Sequence, residues 1–283
     1  MISRRHFLCG LAALAVTASS RGQARLSLQG TAAQAMPLFL SVLGLGETAE
    51  PEMEWENQRY PLAWMPDRQA WRGVLPISID CPRKPASGVR IYQAQEVILQ
   101  RDVGVKPKNY GMQYLTINES TLASYAKPQN KADDQAILDC MKKLDPVQRW
   151  KGNFSSPCQA PETTGFGQRR LYNGWKKSWH KGLDLGGYDG QPVQAPAAGR
   201  VVHLARGLVN GNTLVLSHGL GLFSVYLHLS DFESSLGQDV EAGQTIAYVG
   251  GTGGFAPHLH WEVRAYGVPV HPKAFYQLPA DWR

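Results

Sequence analysis

Apolar and polar positions fall into three regimes along the chain. From 165 onward, apolar runs of five to seven residues recur at 200–204, 213–217, 223–227, 245–249 and 258–264. Gly211 with Asn212, Gly219 with Gly221, Gly243 and the cluster Gly250, Gly251, Gly253, Gly254 punctuate them. Short runs closed by turn residues predict an antiparallel sheet, and no stripe of helical period competes there. From 25 to 118, short alternations such as Val74 to Ile79 and Val97 to Leu99, broken by Pro, Gly and Asn, predict a small β-rich domain. Between the two, Ile137, Cys140, Met141 and Leu144 fall at i, i+3, i+4 and i+7. That is the stripe of an amphipathic helix begun by Asp133 and stopped before Pro146. Gly152, Asn153, Pro157 and Pro161 then read as an extended linker. The expected fold is mainly β: a β-rich domain over 25–118, a helical connector and linker over 119–164, an antiparallel β domain over 165–276 and a tail over 277–283.

Residues 1–24 follow a different rule. They hold no acidic residue, carry Arg4 and Arg5, and continue into an apolar run from Phe7 to Val16 followed by small residues. This is the pattern of an export signal. About ten apolar residues fall short of the roughly 20 that cross a bilayer, so no permanent membrane span is expected. Ser3 to Leu8 resembles a twin-arginine signal, with a general secretory signal as the alternative. Either route places the mature protein in the periplasm or cell envelope. Of the cysteines beyond this segment, Cys81, Cys140 and Cys158, none has C-x-x-C spacing. In an oxidising compartment Cys140 and Cys158 are a candidate pair, three unpaired thiols being the alternative.

The formal charge is +6, but its carriers are scattered, in pairs such as Arg169 with Arg170 and Lys176 with Lys177. With no long basic block, nucleic acid is not an expected partner. Residues 44–49 imitate a dinucleotide-binding glycine pattern, yet Pro51 follows closely and no βαβ unit is visible, so the segment reads as a loop.

Candidate chemistry gathers in the histidines. His180 and Asp184 stand four apart, and Gly182, Gly186 and Gly187 argue against a helix there. In an extended segment, positions i and i+4 share a face. Alone, such a pair is most often two surface residues. Along 258–264, period two puts His258, His260, Glu262 and Arg264 on one face and Leu259, Trp261 and Val263 on the other. Imidazoles roughly 7 Å apart along one strand can serve one site, one binding a metal and the other facing the substrate. His228 ends the strand that carries Tyr226 and Leu227; a lone histidine there is more often structural. His203, His218 and His271 lack any partner pattern and read as structural. Zinc in hydrolases takes three protein ligands of His and carboxylate type and keeps one position for water, which two His and one Asp satisfy. No H-E-x-x-H motif is present, so the helical zinc proteases are excluded and histidines are left to move protons.

Together these residues resemble the lysostaphin-type, or LytM-type, zinc metallopeptidases of the bacterial cell wall. The resemblance runs through Phe166 to Arg170, His180 and Asp184, Ala195 to Gly199, Gly211 to Thr213, Tyr226 to Leu229 and Pro257 to Glu262, nearly all of 165–276. It implies one Zn2+ per chain on His180, Asp184 and His260, with His228 and His258 as catalytic histidines. The fold it implies is a β groove of the duplicated-hybrid-motif type. Glu262 is then a candidate acceptor for a metal-binding imidazole N–H. Trp179, Trp175 and Tyr226 are candidates to line the groove, although tryptophans more commonly pack in cores. The implied substrates are peptidoglycan stem peptides, where cross-links join D-alanine to diaminopimelate, making a D,D-endopeptidase the expected activity. The alternative is a non-catalytic activator of cell-wall amidases, which would require a regulatory protein partner. The departure from the pattern is the short glycine loop 253–257 before His258. The first domain resembles the β-domains upstream in exported members by position and composition.

Overall fold

The computed structural model describes residues 23–84 and 88–283. The expected export signal at 1–24 therefore lies, except for its last two residues, outside the described residues. The chain is mainly β. In the first domain, strands Arg25–Gln29, Pro37–Leu43, Ala70–Pro76 and Ala63–Met65 form one antiparallel sheet. Strands Gln58–Pro61, Glu52–Trp55, Val89–Gln93 and Glu96–Arg101 form a second. Leu40, Met53, Trp55, Leu75 and Ile91, from both sheets, pack into a single cluster.

The second domain is built on an eight-stranded antiparallel sheet. Its order is Glu162–Thr164, Leu183–Leu185, Leu259–Ala265, Leu222–Leu229, Asn212–Gly219, Gly199–Arg206 and Asp239–Val240, with Val268–Val270 paired to Leu259–Ala265. Alternation gives the sheet two faces. Leu214, Leu216, Tyr226, Trp261 and Val263 point into the main core with Val193, Ile246 and Phe275. Val215, Phe223, Val225 and Leu227 point the other way, where Ile137 of the connector helix and Met141 just past its end pack on them.

That helix spans Pro128–Cys140, not 133–144, and a short helix Glu119–Ser124 precedes it. Pro128 takes the first helical position, where its fixed φ and missing N–H suit a start, so the helix begins a turn and a half before Asp133. Leu144 lies past its end and packs on the main core instead. The expected linker is not free chain: Trp150, Phe154 and Cys158 are buried in the main core. Nor is 277–283 a loose tail, because Trp282 sits 5.1 Å from Phe39 of the first domain and beneath Arg72. The candidate Cys140–Cys158 pair is not formed; Cys81, Cys140 and Cys158 are free thiols. Cys140 packs with the groove-side cluster and Cys158 belongs to the core on the opposite face, so the sheet separates them. Among the described residues, no helix is long and apolar enough to cross a membrane.

One element crosses the expected boundary. Met112–Leu115, from the end of the first domain, pairs in parallel with Arg169–Tyr172, which pairs antiparallel with Lys176–Trp179. The chain before the linker thereby becomes part of the wall around the second domain's groove.

Candidate metal centre

Asp184 and His260 are cross-strand partners, since Leu183–Leu185 pairs with Leu259–Ala265 in a register that sets Asp184 against His260. Their side chains thus share the groove face. His180 reaches the same point from the end of Lys176–Trp179, because Gly182 lets the backbone pass close over the neighbouring strand. A Cβ at 182 would collide with the Trp261 carbonyl oxygen and come within 2.9 Å of His260 Nε2.

His180 Nε2 lies 2.9 Å from Asp184 Oδ1 and 3.0 Å from His260 Nδ1, and His260 Nδ1 lies 2.8 Å from the same Asp184 oxygen. The outer nitrogens settle the tautomers. His180 Nδ1, 2.8 Å from the Gly165 carbonyl, must donate to it, and His260 Nε2, 3.0 Å from Glu262 Oε1, must donate there. With neutral rings, two nitrogen lone pairs and a carboxylate oxygen then converge on one point with no proton between the nitrogens. Such a donor set fits a cation, and two imidazoles with one carboxylate fit zinc in particular.

The charges around this point are tightly coupled. Burial alone would raise the Asp184 carboxyl, but its close contacts with the His180 and His260 rings override it and hold it far below the usual carboxylate range. Burial likewise works against His260⁺, yet the hydrogen bonds and charges of Asp184 and Glu262 raise this ring to about 9 without a metal. His180 is lowered, by burial first. Glu262 is held low despite its burial, chiefly by Arg264, whose Nε donates to Oε2 at 2.6 Å. Arg264, Glu262 and His260 form a continuous line of buried partners leading to the centre. Asp184 Oδ2 faces Arg170 Nη2 at 3.5 Å.

His228 and His258 stand beside this cluster, their rings 4.8 Å apart. His228 Nδ1 is 3.0 Å from the Thr252 carbonyl and His258 Nδ1 is 2.8 Å from the Ala256 carbonyl. Each therefore donates at Nδ1 and keeps a lone pair at Nε2. His258 Nε2 lies 3.8 Å from Asp184 Oδ1. Burial, then the nearby His260 and His258, push the His228 ring down to about 3. His228 owes its direction to a bulge: Asn212 pairs with Leu229 and Leu214 with Tyr226, so two residues oppose one, and His228 takes φ +64°. Strict alternation would have kept it on the core face with Tyr226.

All five residues line a cavity of about 440 Å³. Gln113, Leu115 and Ile117 from the end of the first domain, with Tyr125, Asn130 and Asp134 of the connector, form one wall, a contribution that sequence reasoning missed because it arises only from tertiary packing. Trp179 lines this cavity, half-buried against Phe166. Tyr226 does not: it is fully buried on the core face, its hydroxyl 2.7 Å from Ser224 Oγ. Trp175 sits exposed at a hairpin turn, neither in a core nor in the groove. His203, His218 and His271 are outside the cavity lining. Arg170 and Arg264 were also missed as functional neighbours; period two marks Arg264 as facing His260, but the Arg169–Arg170 pair reads from sequence as surface charge.

Residues 178–272, the C-terminal part of the chain, match the model of Peptidase family M23. Over 109 residues, 38% of this chain, the sequence is 36% identical to the DD-carboxypeptidase/endopeptidase Mpg of Neisseria meningitidis serogroup B, covering 25% of that protein. Over 100 residues, 35% of this chain, it is 37% identical to the murein hydrolase activator NlpD of Escherichia coli K12, covering 26% of that protein. The match thus spans about a quarter of the length of these curated relatives. The crystal structure of a putative peptidase M23 from Pseudomonas aeruginosa shares the fold at a TM-score of 0.63 and 23% identity, over 87% of this chain and 94% of that one.

Proposed function

We propose that the protein is an exported, zinc-dependent endopeptidase that hydrolyses peptide cross-links of bacterial peptidoglycan, acting as a D,D-endopeptidase in the periplasm or cell envelope. One observation carries this reading: His180, Asp184 and His260 converge within hydrogen-bond distance of one another while His228 and His258 line the same cavity. His180 Nε2, Asp184 Oδ1 and His260 Nδ1 would hold the zinc ion, which supplies Lewis acidity and a water poised for deprotonation near neutral pH. His228 Nε2 and His258 Nε2 would position the attacking water and share in moving its proton, and an imidazole N–H of the pair would donate to the developing oxyanion. The Thr252 and Ala256 carbonyls fix the tautomers that make this possible. Glu262, itself anchored by Arg264, orients His260.

The similarity to an activator, NlpD, favours a second reading in which the domain stimulates an amidase by contact and cuts nothing itself. Retention of all five residues speaks for the peptidase. Purified protein incubated with isolated sacculi should convert cross-linked dimers to monomers, stop doing so with a chelator, and resume when zinc is restored. Unchanged dimers, together with faster release of glycan-free peptides by an added amidase, would establish the activator instead.

A further inference from the structure

The guanidinium of Arg170 lies on the wall of the cavity, with Nε donating to Gln113 Oε1 at 3.0 Å and Nη2 standing 3.5 Å from Asp184 Oδ2. It is held there by register, because Arg170 and Gln113 are partners across the parallel pair that joins the end of the first domain to the second domain. A charge-assisted hydrogen bond between guanidinium and carboxylate runs at about 2.7 to 2.9 Å and is often bidentate. The Arg170–Asp184 contact is longer and single, so it leaves most of the guanidinium fork uncommitted to Asp184.

The acids of the cavity are already engaged. Asp134 accepts from Asn210, Glu262 is bonded by His260 and Arg264, and Asp184 Oδ1 is shared by two histidines. Charged side chains on the lining balance, with Asp134, Asp184 and Glu262 against Arg170, Lys181 and Arg264. A divalent ion at the His-Asp-His cluster tips that balance to positive and draws the Asp184 charge toward itself. The cavity then favours an anionic ligand, and its planar fork favours a carboxylate over a point charge.

We infer that Arg170 is a specificity-determining residue that binds a free carboxylate on the substrate residue flanking the scissile bond. The distance sets that position: Arg170 is one contact from Asp184, and an extended residue spans about 3.3 to 3.6 Å, so only an immediate neighbour of the reacting amide reaches it. The inference rests on the peptidase reading above and names a feature of its substrate. In a D-alanyl-diaminopimelate cross-link, the group in question is the carboxylate next to the acylated amine.

The test is a matched pair of synthetic D-alanyl-diaminopimelate peptides, identical except that this carboxylate is free in one and a carboxamide in the other. Wild-type protein should show a KM at least tenfold lower for the acid. Arg170→Gln should raise KM for the acid by a similar factor, leave the amide unchanged, preserve kcat and keep the wild-type zinc stoichiometry. Arg170→Lys should fall between them, since a point charge replaces half of the fork. Loss of zinc in Arg170→Gln, or equal damage with both peptides, would overturn the inference and reduce Arg170 to a prop for Asp184; equal KM values for the two peptides in wild type would overturn it without any variant. If wild type turns over neither peptide, the peptidase reading has failed. Calorimetric binding of the same pair to zinc-loaded protein then decides the inference through the ratio of Kd values, by the same tenfold criterion.

Discussion

Asp184 and His260 face each other directly across two antiparallel strands, and the 2.8 Å from Asp184 Oδ1 to His260 Nδ1 ties the strand register to the charge at the centre. The carboxylate charge of Asp184 is a large part of what raises the His260 ring to about 9 against its burial. Asp184→Asn keeps the shape and removes that charge. The expected result is a loss of bound zinc, with occupancy after dialysis falling well below one per chain, and a His260 titration displaced downward in metal-free protein. Metal analysis and NMR of the imidazole read the two effects separately; full zinc occupancy in Asp184→Asn would remove this residue from the ligand set.

His228 separates chemistry from metal binding. Its ring donates to Thr252 and is not one of the three converging ligand atoms. His228→Ala should keep zinc and lose at least about a hundredfold in kcat, the lower end for a lost general acid or base. Residue 228 sits at φ +64°, a strain that histidine and alanine both carry through their Cβ, so the backbone gives alanine no advantage there. His228→Asn, which tolerates the left-handed region better, should be as inactive as alanine and more stable. Equal zinc loss in both variants would assign His228 to the metal instead.

This bulge also marks where the sequence stopped being legible. Alternation along 222–229 and 259–265 identifies the strands and puts His260, Glu262 and Arg264 on one face, because period two follows directly from extended backbone. Applied to Tyr226 and His228, the same rule puts both side chains on one face, and one inserted residue breaks it: Tyr226 goes to the core and His228 to the groove. No residue type at 227 or 228 announces a bulge, since histidine enters the left-handed region only occasionally. The connector was misread for a related reason. Its apolar stripe was visible, but a helix start at Pro128 and a wall built by residues 113–134 depend on what the segment packs against. Arg170 looked like solvated charge because its partners, Gln113 and Asp184, are distant in sequence and united only by tertiary pairing.

Glu262 should matter twice. Its side chain is 3% exposed, bonded by His260 on one oxygen and Arg264 on the other. Removing it with Glu262→Leu leaves a buried guanidinium unpaired, a loss on the order of 3 kcal/mol. It should also weaken zinc affinity about 10- to 100-fold through the misoriented imidazole. The double variant Glu262→Leu/Arg264→Leu discriminates between these effects: denaturation should show stability largely regained, while zinc titration shows affinity still reduced. Recovery of both together would mean that Glu262 serves packing alone.

His218 provides the pH test, being fully buried away from the cavity. Its Nδ1 donates to the Ala198 carbonyl at 2.8 Å, and Nε2 lies 2.7 Å from Ser224 Oγ, which meets Tyr226 Oη at 2.7 Å. Burial first, then the Arg149 charge, lowers this ring from 6.5 to about 4 despite the Ala198 bond. The folded protein thus keeps His218 neutral over a range in which the unfolded chain protonates it. Its contribution is fully present above about pH 6.5 and is lost as pH falls toward 4, amounting to about 3 kcal/mol across that window. Other groups add to the slope in the same direction, His271 among them, also lowered to about 4 mainly by burial. The difference between wild type and His218→Asn isolates the one group. Urea unfolding of metal-free protein between pH 4.5 and 6.5 should show a slope about 1 kcal/mol per pH unit steeper in wild type. Identical slopes would mean that His218 reaches water, or a proton, without unfolding.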